Sequence, residues 1–271
     1  MRILTSIHLL LLAGLAHGAT PLRIPLSFER NVGQDDPKVK YLARGEGRLL
    51  YFSEREVMVR AAKSVTRMEL VGASARPTID LLDQQPHFSN YLQGSDQAKW
   101  RTNVAQYRRL RYREVYPGID LIFYGNQEQL EYDFLVRPGA DPNRIELRFA
   151  GMKSLDVNAD GDLVLRGEGG SIVHKQPIVY QEQDGQRIPV AGRYVVVNRN
   201  RVRFEVAEYD RSEMLVIDPI LTYSSYLGGT THNSAEEIAY AVARDPEGNL
   251  YVAGRTLSTN CSAARRVSEH C

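Results

Sequence analysis

The stretch Arg193-Tyr194-Val195-Val196-Val197-Asn198-Arg199-Asn200-Arg201-Val202-Arg203-Phe204-Glu205-Val206 decides the fold class. Apolar and polar residues alternate strictly after Asn198-Arg199-Asn200, and a largely β-branched apolar run, Tyr194 to Val197, precedes it. A period of two places one side-chain set on each face of an extended chain, one buried and one wet. The two asparagines between the halves are turn formers. The segment therefore reads as two antiparallel strands.

The same pattern recurs along the chain. Apolar runs fall at 39–43, 48–52, 56–61, 68–71, 119–124, 130–136, 145–149, 163–165, 178–181, 190–197, 202–206 and 215–217. Asp160-Gly161 and Asp184-Gly185 read as type I′ hairpin turns, and Gly125-Asn126 as a looser one. The one helical candidate is Ser95 to Trp100, with Ser95 as cap. Short strands at this spacing predict an all-β fold, a multi-stranded antiparallel sandwich or barrel. The 15 Tyr against 7 Phe suggest half-wet strand faces.

Composition narrows the function classes. Of 271 residues, 34 are Lys or Arg and 33 are Asp or Glu, a net charge of +1. This balance excludes a strongly basic nucleic-acid binder and an acidic solvating tail. Met1-Arg2, an apolar stretch over Ile3–Ala16 and the small residues of Ala16-His17-Gly18 form the three-part pattern of a signal peptide, 1–18. An exported protein of periplasm, cell surface or medium is expected. No later segment approaches the roughly 20 apolar residues of a membrane span. Cys261 and Cys271 are the only cysteines, so the body relies on its core, and these two are candidates for a small disulfide loop.

Three constellations carry chemistry-bearing residues. Arg109, Arg111 and Arg113 share one strand face, with Trp100 upstream, and suggest an anion site for acidic polysaccharide. The competing reading is a solvated face whose arginines pair with Glu114, Glu131 or Asp133. Asp120, Glu131 and Asp133 lie on a hairpin closed by Gly125-Asn126 and are the weak catalytic candidates, since paired carboxylates divide acid and base roles in glycosidases. Asp156, Asn158, Asp160 and Asp162 resemble the start of a Ca²⁺ loop. Gly167 stands where the closing Glu belongs, which favours a plain hairpin and no metal. The histidines do not cluster, and no nucleophile or phosphate-loop motif occurs. No cofactor is expected.

From Tyr223 the composition becomes small, polar and Gly-rich. Asp245-Pro246-Glu247-Gly248-Asn249-Leu250-Tyr251-Val252-Ala253-Gly254-Arg255-Thr256 then resembles the SBBP-type β-propeller repeat of bacterial exported and surface proteins. The segment before it resembles the all-β domain of unknown function that leads such repeats. Its matching stretches include Phe28-Glu29-Arg30-Asn31-Val32-Gly33-Gln34, Tyr116-Pro117-Gly118-Ile119-Asp120-Leu121, Leu130-Glu131-Tyr132-Asp133-Phe134 and Leu215-Val216-Ile217-Asp218-Pro219. The resemblance implies a leading domain over 19–222, a first, partial repeat over 223–260, and export, without implying a reaction. It further implies more repeats after Ser258-Thr259, where this chain reads Asn260-Cys261 to Cys271 instead. A frameshift, a premature stop or a gene fragment is the expected cause; a short protein whose half-blade pairs with another chain is the alternative. The function expected is a non-catalytic binding or scaffold module of surface or matrix, with polysaccharide or another surface protein as partner and no mark of an oligomeric state. A polysaccharide hydrolase or lyase using the 120–133 carboxylates, and a non-functional fragment, are the alternatives.

Overall fold

The computed structural model describes residues 26–45, 48–61, 64–126, 129–167, 170–224, 238–244 and 250–255. The leader at 1–18, the cysteines and the tail at 261–271 lie outside them. Five strands come first: β1 (Ser27–Arg30), β2 (Tyr41–Gly45), β3 (Arg48–Phe52), β4 (Glu56–Ala61) and β5 (Ser64–Leu70). Two long strands follow, β6 (Thr78–Tyr91) and β7 (Arg101–Tyr116), then β8 (Ile119–Asn126), β9 (Gln129–Val136) and β10 (Glu146–Ala150). Next are β11 (Ser154–Val157), β12 (Leu163–Gly167), β13 (Gly170–His174), β14 (Ile178–Gln183) and β15 (Gln186–Val190). The last are β16 (Gly192–Asn198), β17 (Arg201–Val206), β18 (Leu215–Asp218), β19 (Leu221–Ser224), β20 (Ile238–Arg244) and β21 (Leu250–Arg255).

The fold is all-β and antiparallel. A 15-stranded sheet runs β15-β14-β18-β9-β8-β7-β1-β2-β3-β4-β5-β10-β17-β16, with β6 on β7. Its two ends, β15 and β16, are separated in the chain by Ala191 alone, so the sheet nearly closes into a barrel. The apolar run at 190–197 is thus two strands meeting at a corner. Gly192 marks the corner: a Cβ there would lie 2.3 Å from the Val179 side chain. A four-stranded sheet, β11-β12-β13-β19, and the hairpin β20-β21 complete the described elements.

The core lies between the inner face of the rolled sheet and the four-stranded sheet, which contributes Leu163, Leu165 and Leu221. An unbroken aromatic series crosses it: Phe28 to Phe52 at 5.5 Å, Phe52 to Phe123 at 5.2 Å, Phe123 to Tyr132 at 5.8 Å, Tyr132 to Phe134 at 5.9 Å and Phe134 to Phe204 at 5.8 Å. These centroid spacings are those of favourable edge-to-face and tilted pairs. The tyrosines correct the half-wet reading. Tyr112, Tyr116 and Tyr194 are buried, and each hydroxyl donates to a main-chain carbonyl, of Ser53, Glu146 and Lys175 respectively. Buried His174 sits edge-on to Phe149 at 5.3 Å, with Nδ1 3.0 Å from the Tyr132 hydroxyl. Burial pushes its imidazole down to about 3, so it is neutral at physiological pH.

Several local expectations change. The strand Thr78–Tyr91 was not legible, because Pro86 interrupts it and alternation is lost. The register slips between Gln84↔Tyr107 and Phe88↔Ala105, a bulge that accommodates the proline. The helical candidate is a single 3₁₀ turn, Gln97–Lys99, capped by Asp96 rather than Ser95. Asp184 (φ 49°) and Gly185 (φ 76°) form the expected type I′ turn. At Asp160-Gly161 only Gly161 is left-handed, so that loop is a type I turn closed by a glycine bulge. Gly125 and Asn126 belong to β8, opposite Leu130 and Gln129, and do not form the turn.

Phe123 touches Phe52, Tyr112 and Tyr132. Phe123→Ala is expected to cost about 3–5 kcal/mol of unfolding free energy in urea denaturation. A loss under about 1 kcal/mol would show that the aromatic series does not hold the two halves together.

Candidate functional site

Arg109, Arg111 and Arg113 do share one face of β7, while Leu110 and Tyr112 face the core. Their partners are not the ones expected. Arg111 Nη2 and Arg113 Nε each lie 2.9 Å from Asp80 Oδ2, and Arg109 Nε lies 2.5 Å from Asp83 Oδ2. Both aspartates come from β6, the strand that sequence reading missed. Glu131 and Asp133 are on the same outer face, in the rows Arg109–Tyr124–Glu131 and Arg111–Ile122–Asp133. They stand two strands from β7, about 10 Å away, so the adjacent strand wins. Glu114 is taken by Arg137, at 2.8 Å.

Beside β6 and the first half of β7 lies a groove of about 850 Å³. Arg30, Asp80, Asn103, Tyr107, Arg111 and Arg113 line it. Arg30 packs its guanidinium over the Tyr41 ring at 5.4 Å, and among the described residues it pairs with no carboxylate. The groove thus holds three guanidinium groups against the single carboxylate of Asp80. A polar knot joins the same three strands: buried Glu29 accepts from the Tyr91 hydroxyl and from Gln106 Nε2 at 2.5 Å, tying β6 to β1 and β7. Asn103 adopts φ 57°, and its amide donates to Asn90 Oδ1 at 2.9 Å. Trp100 and Arg109 do not line the groove. The Trp100 indole N–H donates to the Gly94 carbonyl at 3.1 Å. Arg30 and Asn103 were missed because neither belongs to a charged run; only the pairing of β1 with β7 brings Arg30 alongside.

The carboxylates of the 120–133 hairpin separate into two roles. Buried Asp120 accepts from the Glu114 amide at 2.8 Å and from Arg137 Nη2 at 3.0 Å. Glu114 is left-handed (φ 48°), and the ladder skips from Tyr112↔Leu121 to Tyr116↔Ile119. Asp120 therefore staples a bulge. Asp133 accepts from the Tyr124 hydroxyl at 3.0 Å and lies beside Asp218 across the β9–β18 pair. Asp218 Oδ1 is buried without a hydrogen bond. Burial first, then the Asp218 and Glu131 charges, push Asp133 up to about 7.

The Ca²⁺-like loop turns its oxygens onto the protein. Asn158 Oδ1 accepts from the amides of Asp160 at 3.0 Å and Asp162 at 2.9 Å. Asp162 is buried and takes Lys175 Nζ at 2.8 Å and the Gln176 amide at 2.9 Å, while Asp156 pairs with Arg166. Among the described residues no group of three or more His, Cys, Asp or Glu could hold a metal ion.

Asp133 makes stability pH-dependent in a stated direction. Its folded value lies above the ordinary 3.8, so the folded chain holds this proton more tightly. Stability at this site therefore falls as pH rises from about 4 to 7. Asp133→Asn should raise the melting temperature at pH 8 by roughly 2–4 °C, with a smaller gain at pH 5. An equal shift at both pH values would show that the carboxyl is not strained by its neighbours.

No curated protein and no solved structure matches this chain. A β-propeller repeat model matches residues 222–260. The model of a domain of unknown function, DUF7948, matches residues 28–220. The chain, an all-β domain running into one SBBP repeat, belongs to the DUF7948 family.

Proposed function

We propose that this protein is an exported, non-catalytic binding module, and that the groove beside β6 and β7 takes an acidic polysaccharide. One observation carries the reading: Arg30, Arg111 and Arg113 face a single carboxylate in a groove that also presents Tyr107. Guanidinium groups hold carboxylates through paired N–H donors, and a neighbouring ring supplies an apolar face to a sugar. The β-propeller repeat supports a module without a reaction of its own. The near-zero net charge makes the attraction local to the groove.

Calorimetry with oligoalginate and with neutral dextran tests this. Binding of the uronate alone is expected, weakening with salt. Arg30→Ala with Arg113→Ala should weaken it at least about tenfold, the cost of one lost charge-assisted hydrogen bond. Arg109→Ala should leave it unchanged. Equal affinity in the double variant would remove the groove from the function.

A second reading has one observation in its favour. Asp133, held at about 7 beside Asp218, has the proton affinity of a general acid. Release of reducing ends from polysaccharides, lost in Asp133→Asn, would establish a hydrolase instead.

A further inference from the structure

The border between the two matched families does not coincide with a border in the structure. The leading family ends at residue 220 and the repeat begins at 222. Yet β19, which opens the repeat, is the fourth strand of a sheet whose other three strands belong to the leading domain. It pairs with β13 through His174↔Leu221, Val173↔Thr222, Ile172↔Tyr223 and Ser171↔Ser224. The Lys175 amide extends the ladder, donating to the Ile220 carbonyl at 2.8 Å.

Leu221 completes the leading domain from within. It is buried and joins the core cluster with Tyr132, Leu165 and Phe149. Beside it the chain changes sheets: β18 pairs with β9 and β14, and Ile220 bridges to Glu131 before β19 turns onto β13. The strand-breaking step is Pro219, which has no amide to donate. A four-stranded antiparallel sheet is also the size of a propeller blade.

We infer that β11, β12 and β13 are the docking sheet through which the leading domain caps the propeller repeat, with β19 as the shared strand. Repeat units cannot bury their faces alone and need a terminal cap that supplies the missing surface. Here the joint is the repeat's own first strand, β19, hydrogen-bonded into the leading domain's sheet while β20 and β21 form a separate hairpin, so the order of the repeat is coupled to the order of the leading domain.

Ladder geometry selects the test. The Lys175 amide points to β19, so in the alternating antiparallel pattern the Val173 amide does too, and Val173 and Thr222 form a hydrogen-bonded pair. In the full chain, Thr222→Pro removes a donor from this pair alone, because β19 lies at the edge of its sheet. Hydrogen exchange is the readout. Amides of β13 and of β20–β21 should both exchange at least about tenfold faster, while β1–β3 keep their protection. Faster exchange in β13 with β20–β21 unchanged would overturn the cap, as would no change in either.

If Thr222→Pro also exposes β1–β3, a second variant decides. Val173→Cys with Thr222→Cys, in a Cys261→Ser and Cys271→Ser background, spans a pair whose Cα separation of about 5.5 Å suits a disulfide. Oxidation should slow exchange in β20–β21 relative to the reduced form. Equal exchange in the two forms would overturn the inference.

Discussion

A sheet of 15 strands with one apolar face must cover that face, and here it rolls onto itself and packs against the four-stranded sheet. Two contacts carry most of this burden. Phe52 on β3 meets Phe123 on β8, and Phe134 on β9 meets Phe204 on β17. Each joins strands from opposite branches of the sheet, and the long strand β7 connects the branches. Polar groups admitted to this core are matched in pairs. Neutral His174 meets the Tyr132 hydroxyl, and tyrosine hydroxyls cap carbonyls at 2.7–3.2 Å. Each such bond avoids the cost of an orphaned buried dipole.

The site region depends on irregularities in β6 and β7 more than on their regular parts. Pro86 and the left-handed Asp83, Asn103 and Glu114 break the ladder on either side of the groove. Bulges sharpen local twist and bend a strand, which is how two paired strands come to enclose a concave surface. The outer face then separates its charges. Arginines on β7 are met by the aspartates of β6, and carboxylates collect on β9 and β18, with Ile122 and Tyr124 of β8 between.

Strand patterning was legible wherever one face is wet. The turn between β16 and β17 and the hairpin at Asp184-Gly185 follow directly from alternation and turn chemistry. Beyond that, local sequence loses its hold. β6 lacks alternation because both its faces are largely exposed and a proline sits in its bulge. The arginine face was visible, yet its partners were not, since strand order is a long-range property. The same limit explains Arg30 in the groove and Asp218 beside Asp133. Each pair joins residues that only β1–β7 or β9–β18 pairing brings together. Asp120 looked like a reactive carboxylate because its role as a bulge staple needs a partner, the Glu114 amide, that the main chain supplies silently.

The path of the sheet also bears on how the chain reaches this structure. Its two ends, β15 and β16, are neighbours in sequence across Ala191, so bringing them together adds almost no loop entropy. The costly joins lie elsewhere. Phe28↔Tyr107, Leu70↔Leu147 and Val136↔Leu215 each unite residues roughly 80 positions apart. A high contact order of this kind belongs to slow folders. The meander β1–β5 and the hairpins β7–β9 can form locally, but neither buries its face until those three joins are made. During that interval apolar strand edges are open to water and to other chains.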